Sequence, residues 1–278
     1  MAVPFFTSRF RAGFNPETLV VTLTTGLFFL LLLCPLAGLS LDLVQALIAG
    51  SADPAQALLL SQRRLGLLAA SIGLAAAVAG AGIITGVLFI SALFRLPQKL
   101  LYVILLLLLA LAGIPPYIHA LTWSGVLHAA GSVLPGIPVT GWAISFWVEL
   151  MALLPLAIFL SWIAFASLDT RLIDAGRLVR SDLSVLRSII LPLAAPALAA
   201  AYGFIFLICC TDYAVPSLFN ADVYALDIFA QFSASNSPAQ AFIYAMPLLI
   251  VTLIVMIACR SGIRTLAQAP GWIAARFG

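Results

Sequence analysis

Charged side chains are scarce in this sequence. Only 8% of its 278 residues are Asp, Glu, Lys or Arg, whereas 64% are hydrophobic. A soluble domain carries about 25% charged residues, so this composition excludes a soluble fold and indicates an integral membrane protein. The net charge of +3 requires no nucleic-acid partner, because the basic residues lie in short segments beside apolar runs.

Metal-binding and catalytic patterns are also missing. The four cysteines have no metal-ligand spacing, with Cys209 and Cys210 adjacent, and the two histidines are too few for a metal site. The chain has no Gly-x-x-x-x-Gly-Lys-Ser/Thr phosphate-binding loop and no His-Glu-x-x-His motif. We therefore predict a chain that is not an enzyme and binds no cofactor or metal ion of its own.

Six long apolar segments run along the chain. Each is near or above the roughly 20 residues that cross a bilayer as a helix, and lipid forces the backbone to satisfy its own hydrogen bonds. We predict an all-α, polytopic membrane protein in which residues 1–278 form one transmembrane domain. The six predicted spans are Leu19–Gly38, Leu65–Phe94, Leu100–Leu127, Ala143–Ala166, Ile189–Ile208 and Phe242–Cys259.

Lys and Arg are distributed unevenly between the segments that connect these spans. With a cytoplasmic N-terminus, eleven of the thirteen fall on the inside and only Arg63 and Arg64 on the outside. Because positive residues favour the cytoplasmic side, both termini are expected to be cytoplasmic, as in a bacterial-type inner membrane. The predicted inside residues are Arg9, Arg11, Arg95, Lys99, Arg171, Arg177, Arg180, Arg187, Arg260, Arg264 and Arg276.

The second predicted span is rich in small residues between Gly73 and Gly82. Small residues let membrane helices approach one another closely. We interpret this span as a packed scaffold helix, the alternative being a weakly hydrophobic span with no special partner.

A polar, Arg-rich segment, Asp169–Pro196, lies between two of the apolar runs. Asp169 or Thr170 can cap a helix, after which apolar and small residues recur at three- and four-residue spacing on one face. These residues are Leu172, Ile173, Gly176 and Val179. The pattern predicts a short amphipathic cytoplasmic helix that docks on a partner. The alternative is a solvated loop whose apolar face rests on the bilayer.

Part of this segment resembles the EAA loop of binding-protein-dependent ABC transporter permeases. Asp174-Ala175-Gly176, followed by Ile189-Ile190-Leu191-Pro192, is similar to the family pattern of Glu-Ala-Ala, a later Gly and Ile-x-Leu-Pro. The resemblance extends over a core of about residues 65–260. Two further stretches, Ile114-Pro115-Pro116-Tyr117 and the run from Asp212 to Leu218, are most similar to the iron(III), thiamine, polyamine and phosphonate-type permeases.

The resemblance implies a coupling helix that docks in a groove of a cytoplasmic ATPase. Three departures from the pattern are present: Asp174 replaces Glu, Gly176 replaces the second Ala, and the motif Gly falls on Val179 or Arg180. The implied ATPase-coupling residues are Leu172, Ile173, Asp174, Ala175, Gly176, Val179 and Arg180.

Glu149 is the one charged residue well inside a predicted span. Counted from Trp142, it lies about 10 Å into the membrane at about 1.5 Å per residue. A carboxylate at such a depth usually marks a functional site, so Glu149 is predicted to line a pathway or to pair with a partner chain. The alternative is a carboxyl group that snorkels outward or is protonated.

Two other places are candidates for a pathway or gate. Pro115 and Pro116 break the third span and free backbone carbonyls at depth, which suits either a gate or a structural kink. Asp212 and Tyr213 open the outside segment Thr211–Pro238, which is expected to be the longest irregular one.

Together these features predict the permease subunit of an ATP-driven ABC importer. Its implied partners are an ATPase dimer that holds ATP and Mg²⁺, a second permease subunit of the same or a related chain, an outside solute-binding protein and the lipid bilayer. The resemblance implies iron(III) or another small polar or charged solute as substrate. The alternatives are a secondary transporter driven by an ion gradient, which would need paired membrane carboxylates or inverted repeats, and a structural membrane protein without a pathway.

Overall fold

The computed structural model describes residues 16–50, 61–93, 96–133 and 139–268. Across these residues the chain contains helices, turns and short connections but no β-strand, so the all-α prediction is confirmed. Four of the basic residues used to predict the orientation, Arg9, Arg11, Arg95 and Arg276, lie outside the described residues.

The described residues form eleven α-helices and one π-helical turn. The helices are α1 (Pro16–Ile48), α2 (Gln62–Leu93), α3 (Gln98–Ala112), α4 (Pro116–Val133), α5 (Trp142–Ala166), α6 (Thr170–Arg177), α7 (Asp182–Val185), α8 (Leu191–Thr211), α9 (Ala214–Leu218), α10 (Tyr224–Ser235) and α11 (Pro238–Gln268). The π turn, Leu186–Ile190, joins α7 to α8 without a break.

Five of the predicted spans correspond to unbroken helical segments. Within the described residues these segments, each long and apolar enough to cross a membrane, belong to α1, α2, α5, α11 and the run Asp182–Thr211. The last of these begins seven residues before the predicted Ile189, because α7 and the π turn extend α8 towards the inside.

The third predicted span is broken where the sequence places its two prolines. Helices α3 and α4 meet at an angle of 89°, with Pro116 as the first residue of α4. Proline there cannot continue the hydrogen-bond ladder of α3. The predicted break is therefore present, and the third span is two short helices rather than one long one.

The bent pair extends along the whole length of α5. Leu101 and Leu105 of α3 pack with Phe165 near the C-terminal end of α5. Ala120 of α4 packs with Ile144 near its N-terminal end. Because α3 and α4 contact opposite ends of a 25-residue helix, the pair forms a broken span rather than a loop that returns to its own side.

Helices α2 and α5 pack closely at the centre of the fold. A Cβ placed on Gly86 would lie 2.6 Å from Ser161 Oγ and 2.9 Å from the backbone carbonyl oxygen of Ala157. Only a residue without a side chain allows this separation. The interpretation of α2 as a packed scaffold helix is confirmed, although the tightest contact lies one turn beyond the Gly73–Gly82 stretch.

The segment after α8, which was predicted to lie outside, is more ordered than the sequence suggested. It contains α9 and α10, so the prediction of an irregular segment was wrong. The backbone N–H of Gly141, just before α5, donates to the carbonyl of Phe219 at 2.6 Å. Asn236 ends α10 in the left-handed conformation, with φ of 48°. These contacts place the segment over one end of α5.

Candidate functional site

The predicted cytoplasmic helix is present as α6. The side chain of Asp169 accepts a hydrogen bond from the backbone N–H of Arg171 at 2.9 Å. It thereby satisfies one of the amide groups that a helix leaves free at its start. The local sequence thus fixes where this eight-residue helix begins.

The helix ends earlier than the predicted apolar face requires. The backbone N–H groups of Val179 and Arg180 both donate to the carbonyl of Gly176, at 3.2 and 3.0 Å, and α6 stops at Arg177. Val179 therefore lies beyond the helix, where 85% of its surface is exposed. Its inclusion in one helical face with Leu172 was wrong.

Gly176 packs against the chain itself rather than facing outward. A Cβ at this position would lie 2.6 Å from Ile189 Cδ1 in the π turn and 3.5 Å from Val185 Cγ2 in α7. Ile173 is half-buried beside it. The close contact gives a physical reason for Gly where the EAA pattern has its second Ala, and it fixes α6 to the start of α8.

The outward side of this region carries exposed apolar residues. Leu172 is 53% exposed, while Leu178 and Leu183 are 87% and 56% exposed, and Asp174 and Ala175 are exposed as well. Leu178 and Leu183 were missed by sequence reasoning because they follow the helix and so do not share its periodicity. We call the exposed set Leu172, Leu178, Val179 and Leu183 the docking surface.

Charged residues brace the connection between α6 and α8. Arg177 Nε lies 3.5 Å from Asp182 Oδ1, an exposed ion pair. Arg180 Nη1 donates to Ser188 Oγ at 2.9 Å. Exposed ion pairs contribute little to stability. We therefore expect these contacts to orient the loop after α6 rather than to stabilise the fold.

Glu149 lies fully inside the helix bundle. Its side chain is 0% exposed, and neither carboxylate oxygen has a hydrogen-bond partner among the described residues. It does not snorkel to the surface of the chain. A carboxyl group is costly to bury unless it is protonated or paired, so Glu149 is a candidate functional group rather than a packing residue.

Asp212, at the end of α8, is the charged neighbour of Glu149, and the two carboxyl groups interact electrostatically. Oδ1 of Asp212 accepts from the backbone N–H of Ala214 at 2.8 Å, whereas Oδ2 is buried without a partner. The structure thus brings together two candidate residues that are 63 positions apart in the sequence.

The other candidate pathway residues lie elsewhere. Tyr213 is 39% exposed and stacks on Phe229, with ring centroids 5.1 Å apart and planes within 11°. Pro115 is exposed and Pro116 half-buried at the α3–α4 bend. Neither proline is part of the carboxylate pair. The bend therefore sets the course of the broken span rather than the geometry of the pair.

A charge network at the N-terminal end of α2 was not predicted from the sequence. Arg63 Nη1 lies 3.2 Å from Asp227 Oδ1, and Arg64 Nε lies 3.5 Å from Asp227 Oδ2. The Arg64 guanidinium also stacks over the Tyr244 ring at 4.2 Å. These contacts tie α2, α10 and α11 together. Asp227 is also the shared acidic partner of the two basic residues that depart from the positive-inside distribution.

Tyr224 completes the same network. Its hydroxyl donates to the backbone carbonyl of Tyr244 at 2.9 Å. Burial raises the pKa of this phenol, and the positive charge of Arg64 opposes the rise. The hydroxyl therefore stays protonated at neutral pH and keeps its donor role.

No metal centre is evident in the part of the chain that the structure describes. There, no three His, Cys, Asp or Glu side chains lie close enough together to hold a metal ion. Glu149 and Asp212 form a pair of carboxyl groups rather than a three-ligand site.

Comparisons with known proteins give fold similarities and no sequence relatives. No family model matches the chain, and no curated protein matches it. A chain of the MetNI methionine ABC transporter in inward-facing conformations superposes with a TM-score of 0.56 at 17% identity, covering 74% of this chain and 99% of that one. An amino acid ABC transporter gives a TM-score of 0.47 at 17% identity, with coverages of 73% and 91%. The MetNI likeness shows that this multi-pass membrane chain shares the fold of a chain from an ABC transporter.

Proposed function

We propose that this chain is the permease subunit of an ATP-driven ABC importer, in the inner membrane of a bacterial-type cell with both termini cytoplasmic. The observation that carries the proposal is α6. It is a capped helix fixed to the start of a membrane span, and beside it lies an apolar docking surface that nothing in the described chain covers. The shared fold and the EAA-like sequence support it.

The partners follow from this role. An ATPase dimer that binds ATP and Mg²⁺ would take up the docking surface, and a second permease subunit and an outside solute-binding protein would complete the importer. In the described residues, neither the docking surface nor the carboxylate pair provides catalytic machinery. The chain therefore converts a movement of the ATPase into a movement of its spans.

In this proposal, the contact between Gly176 and Ile189 transmits a movement of the docked ATPase to α8. Ile189 belongs to the π turn, which continues directly into α8. A displacement of α6 therefore acts on the inner end of this span through the Gly176–Ile189 contact as well as through the short α6–α7 connection. Rigid-body switching of packed helices is a common form of such transitions.

For the cargo, we propose a small polar or charged solute, with iron(III) as one member of the class. Support comes from the stretches around Pro115 and Asp212, which resemble iron(III), thiamine, polyamine and phosphonate-type permeases. The MetNI transporter is named for methionine. At 17% identity, however, its cargo does not transfer to this chain.

Secondary transport driven by an ion gradient is the second candidate. The observation that favours it is the Glu149–Asp212 pair, because paired membrane carboxylates are typical of ion-coupled carriers. Uptake that continues in ATP-depleted membranes while an ion gradient is maintained would favour this candidate over the first.

The test of the proposal is a charge placed in the docking region. Ala175 is exposed on α6, so Ala175→Glu leaves the internal packing intact and disturbs only a docked partner. Disrupting a well-packed contact costs about 2 kcal/mol or more, which corresponds to roughly thirtyfold weaker ATPase binding. The measurement is the amount of ABC-type ATPase recovered with the tagged permease from its native membranes, together with uptake.

Ala234→Glu is the matched control. Ala234 is also a small exposed residue on a helix, but it lies on α10 at the other end of the molecule. It should retain ATPase binding. Normal ATPase recovery and uptake with Ala175→Glu would overturn the coupling assignment. Gly176→Glu is unsuitable as a test, because Ile189 already fills the space.

A further inference from the structure

A groove of about 370 Å³ lies beside the docking surface, between the α6–α7 connection and the π turn. It is lined by Ser181, Leu183, Ser184, Arg187 and Ser188. Four of these five residues carry hydrogen-bond donors, and none is acidic. The composition suits an anion with several oxygen atoms.

Two donors in the groove, Ser181 and Arg187, are available for a ligand. Ser181 stands at the N-cap position of α7, yet its side chain makes no capping hydrogen bond. Arg187 is exposed and forms no ion pair with the described residues. Hydroxyl and guanidinium groups are the donors that phosphate oxygens accept from most strongly.

The π turn organises this groove. It contains Arg187 and Ser188, and turns of this kind are rare and often lie at functional sites. The hydroxyl of Ser188 donates to the Ser184 carbonyl at 2.6 Å and accepts from Arg180 Nη1 at 2.9 Å. A second guanidinium therefore stands at the edge of the groove.

The surroundings favour a phosphate that carries an apolar tail. The groove belongs to the inner end of a membrane-spanning run, Asp182–Thr211. Its lining includes Leu183, which is 56% exposed, and Leu193 is 45% exposed further along the same run. The nearby carboxylate of Asp182 is paired with Arg177, which reduces its repulsion of an anion.

We propose that this groove binds the phosphate group of an anionic phospholipid from the surrounding bilayer. The Arg187 guanidinium and the hydroxyls of Ser181 and Ser184 hold the phosphate, and Leu183 contacts the acyl chains. The groove shares Leu183 with the docking surface, so a lipid and a docked ATPase would compete there. The test therefore uses the chain without an ATPase, where lipid binding is detected whether or not the importer function holds.

The test measures binding directly on the detergent-solubilised chain. The thermal midpoint is followed while dihexanoyl phosphatidylglycerol, dihexanoyl phosphatidylcholine or inorganic phosphate is added. A ligand that binds only the folded state raises the midpoint in a saturable way. We expect a saturable rise of the thermal midpoint with phosphatidylglycerol and little change with phosphatidylcholine or inorganic phosphate.

Variants locate the effect in the groove. Arg187→Gln should weaken the apparent affinity for phosphatidylglycerol about fivefold or more, as for the loss of one basic contact to an anionic lipid. Ser184→Ala leaves every charge in place and should weaken the apparent affinity for phosphatidylglycerol less than Arg187→Gln does. Arg171→Gln is the matched control, because Arg171 is exposed on α6 and does not line the groove.

Three outcomes would overturn the proposal. Equal shifts with phosphatidylcholine would mean that the anionic headgroup is not recognised. Equal saturation with inorganic phosphate would assign the groove to free anions instead of lipid. Unchanged affinity in both Arg187→Gln and Ser184→Ala would place any lipid effect elsewhere on the chain.

Discussion

The tight contact between α2 and α5 makes Gly86→Ala a direct test of how these two helices pack. The added Cβ would lie 2.6 Å from Ser161 Oγ and 2.9 Å from the Ala157 carbonyl oxygen. Because Ala157 contributes backbone, the clash cannot be relieved by a rotamer change, and the two helices must separate. Overpacking of this kind costs about 1–3 kcal/mol.

Two smaller contributions to the free energy of unfolding also change in the Gly86→Ala variant. Displacement of Ser161 weakens the 2.8 Å hydrogen bond from its hydroxyl to the Ala157 carbonyl, at a cost of about 1 kcal/mol. Alanine improves helix propensity by about 1 kcal/mol over glycine, which offsets that loss. The net expectation is a destabilisation of about 1–3 kcal/mol.

Thermal unfolding in detergent measures this effect, with about 2–4 °C expected per kcal/mol for a chain of this size. Gly73→Ala is the matched control on the same helix, since a Cβ there meets no atom within 4 Å. It should keep or raise the midpoint. If Gly86→Ala unfolds at the same temperature as Gly73→Ala, the close approach of α2 and α5 is refuted.

Three further predictions test the orientation in the membrane, the charge network of Arg63, Arg64 and Asp227, and the Glu149–Asp212 carboxylate pair. In a background without the native cysteines, Cys at Ser235 should react with an impermeant outside reagent and Cys at Ser181 should not; the reverse would overturn the orientation. Asp227→Asn should lower the free energy of unfolding by about 1–3 kcal/mol, because a buried partner of two guanidinium groups loses its charge, and an unchanged denaturation midpoint would contradict this. Glu149→Gln preserves shape and should leave the chain folded by size-exclusion chromatography while uptake falls; full uptake would remove Glu149 from the pathway.

The outline of this fold could be predicted because lipid simplifies the problem. A span must be a long apolar helix, so the length of each apolar run reports an element directly. The break in the third span was also indicated, since the adjacent Pro115 and Pro116 disfavour continuation of a helix. The outside helices α9 and α10 were not predicted, because they carry neither a long apolar run nor a strong cap.

The candidate coupling site could be predicted in part. Asp169 and the EAA-like residues located α6 from local capping and resemblance. The predicted apolar face was wrong in its details. Gly176 packs against the π turn and Ile173 is half-buried, while Leu178 and Leu183 join the exposed side. Which side of a short helix is covered depends on what folds back against it, and eight residues contain too little periodicity to reveal that.

Composition and local pattern alone determined that this chain is a membrane protein, where its long apolar helices run, where α6 begins and that Glu149 lies within a span. Only the tertiary structure decided which distant residues meet. It paired Glu149 with Asp212, tied Arg63 and Arg64 to Asp227, and set Gly176 against Ile189. Such contacts join segments far apart in the chain. The physical reason they escape sequence reading is that helix packing, rather than spacing along one helix, selects the partners.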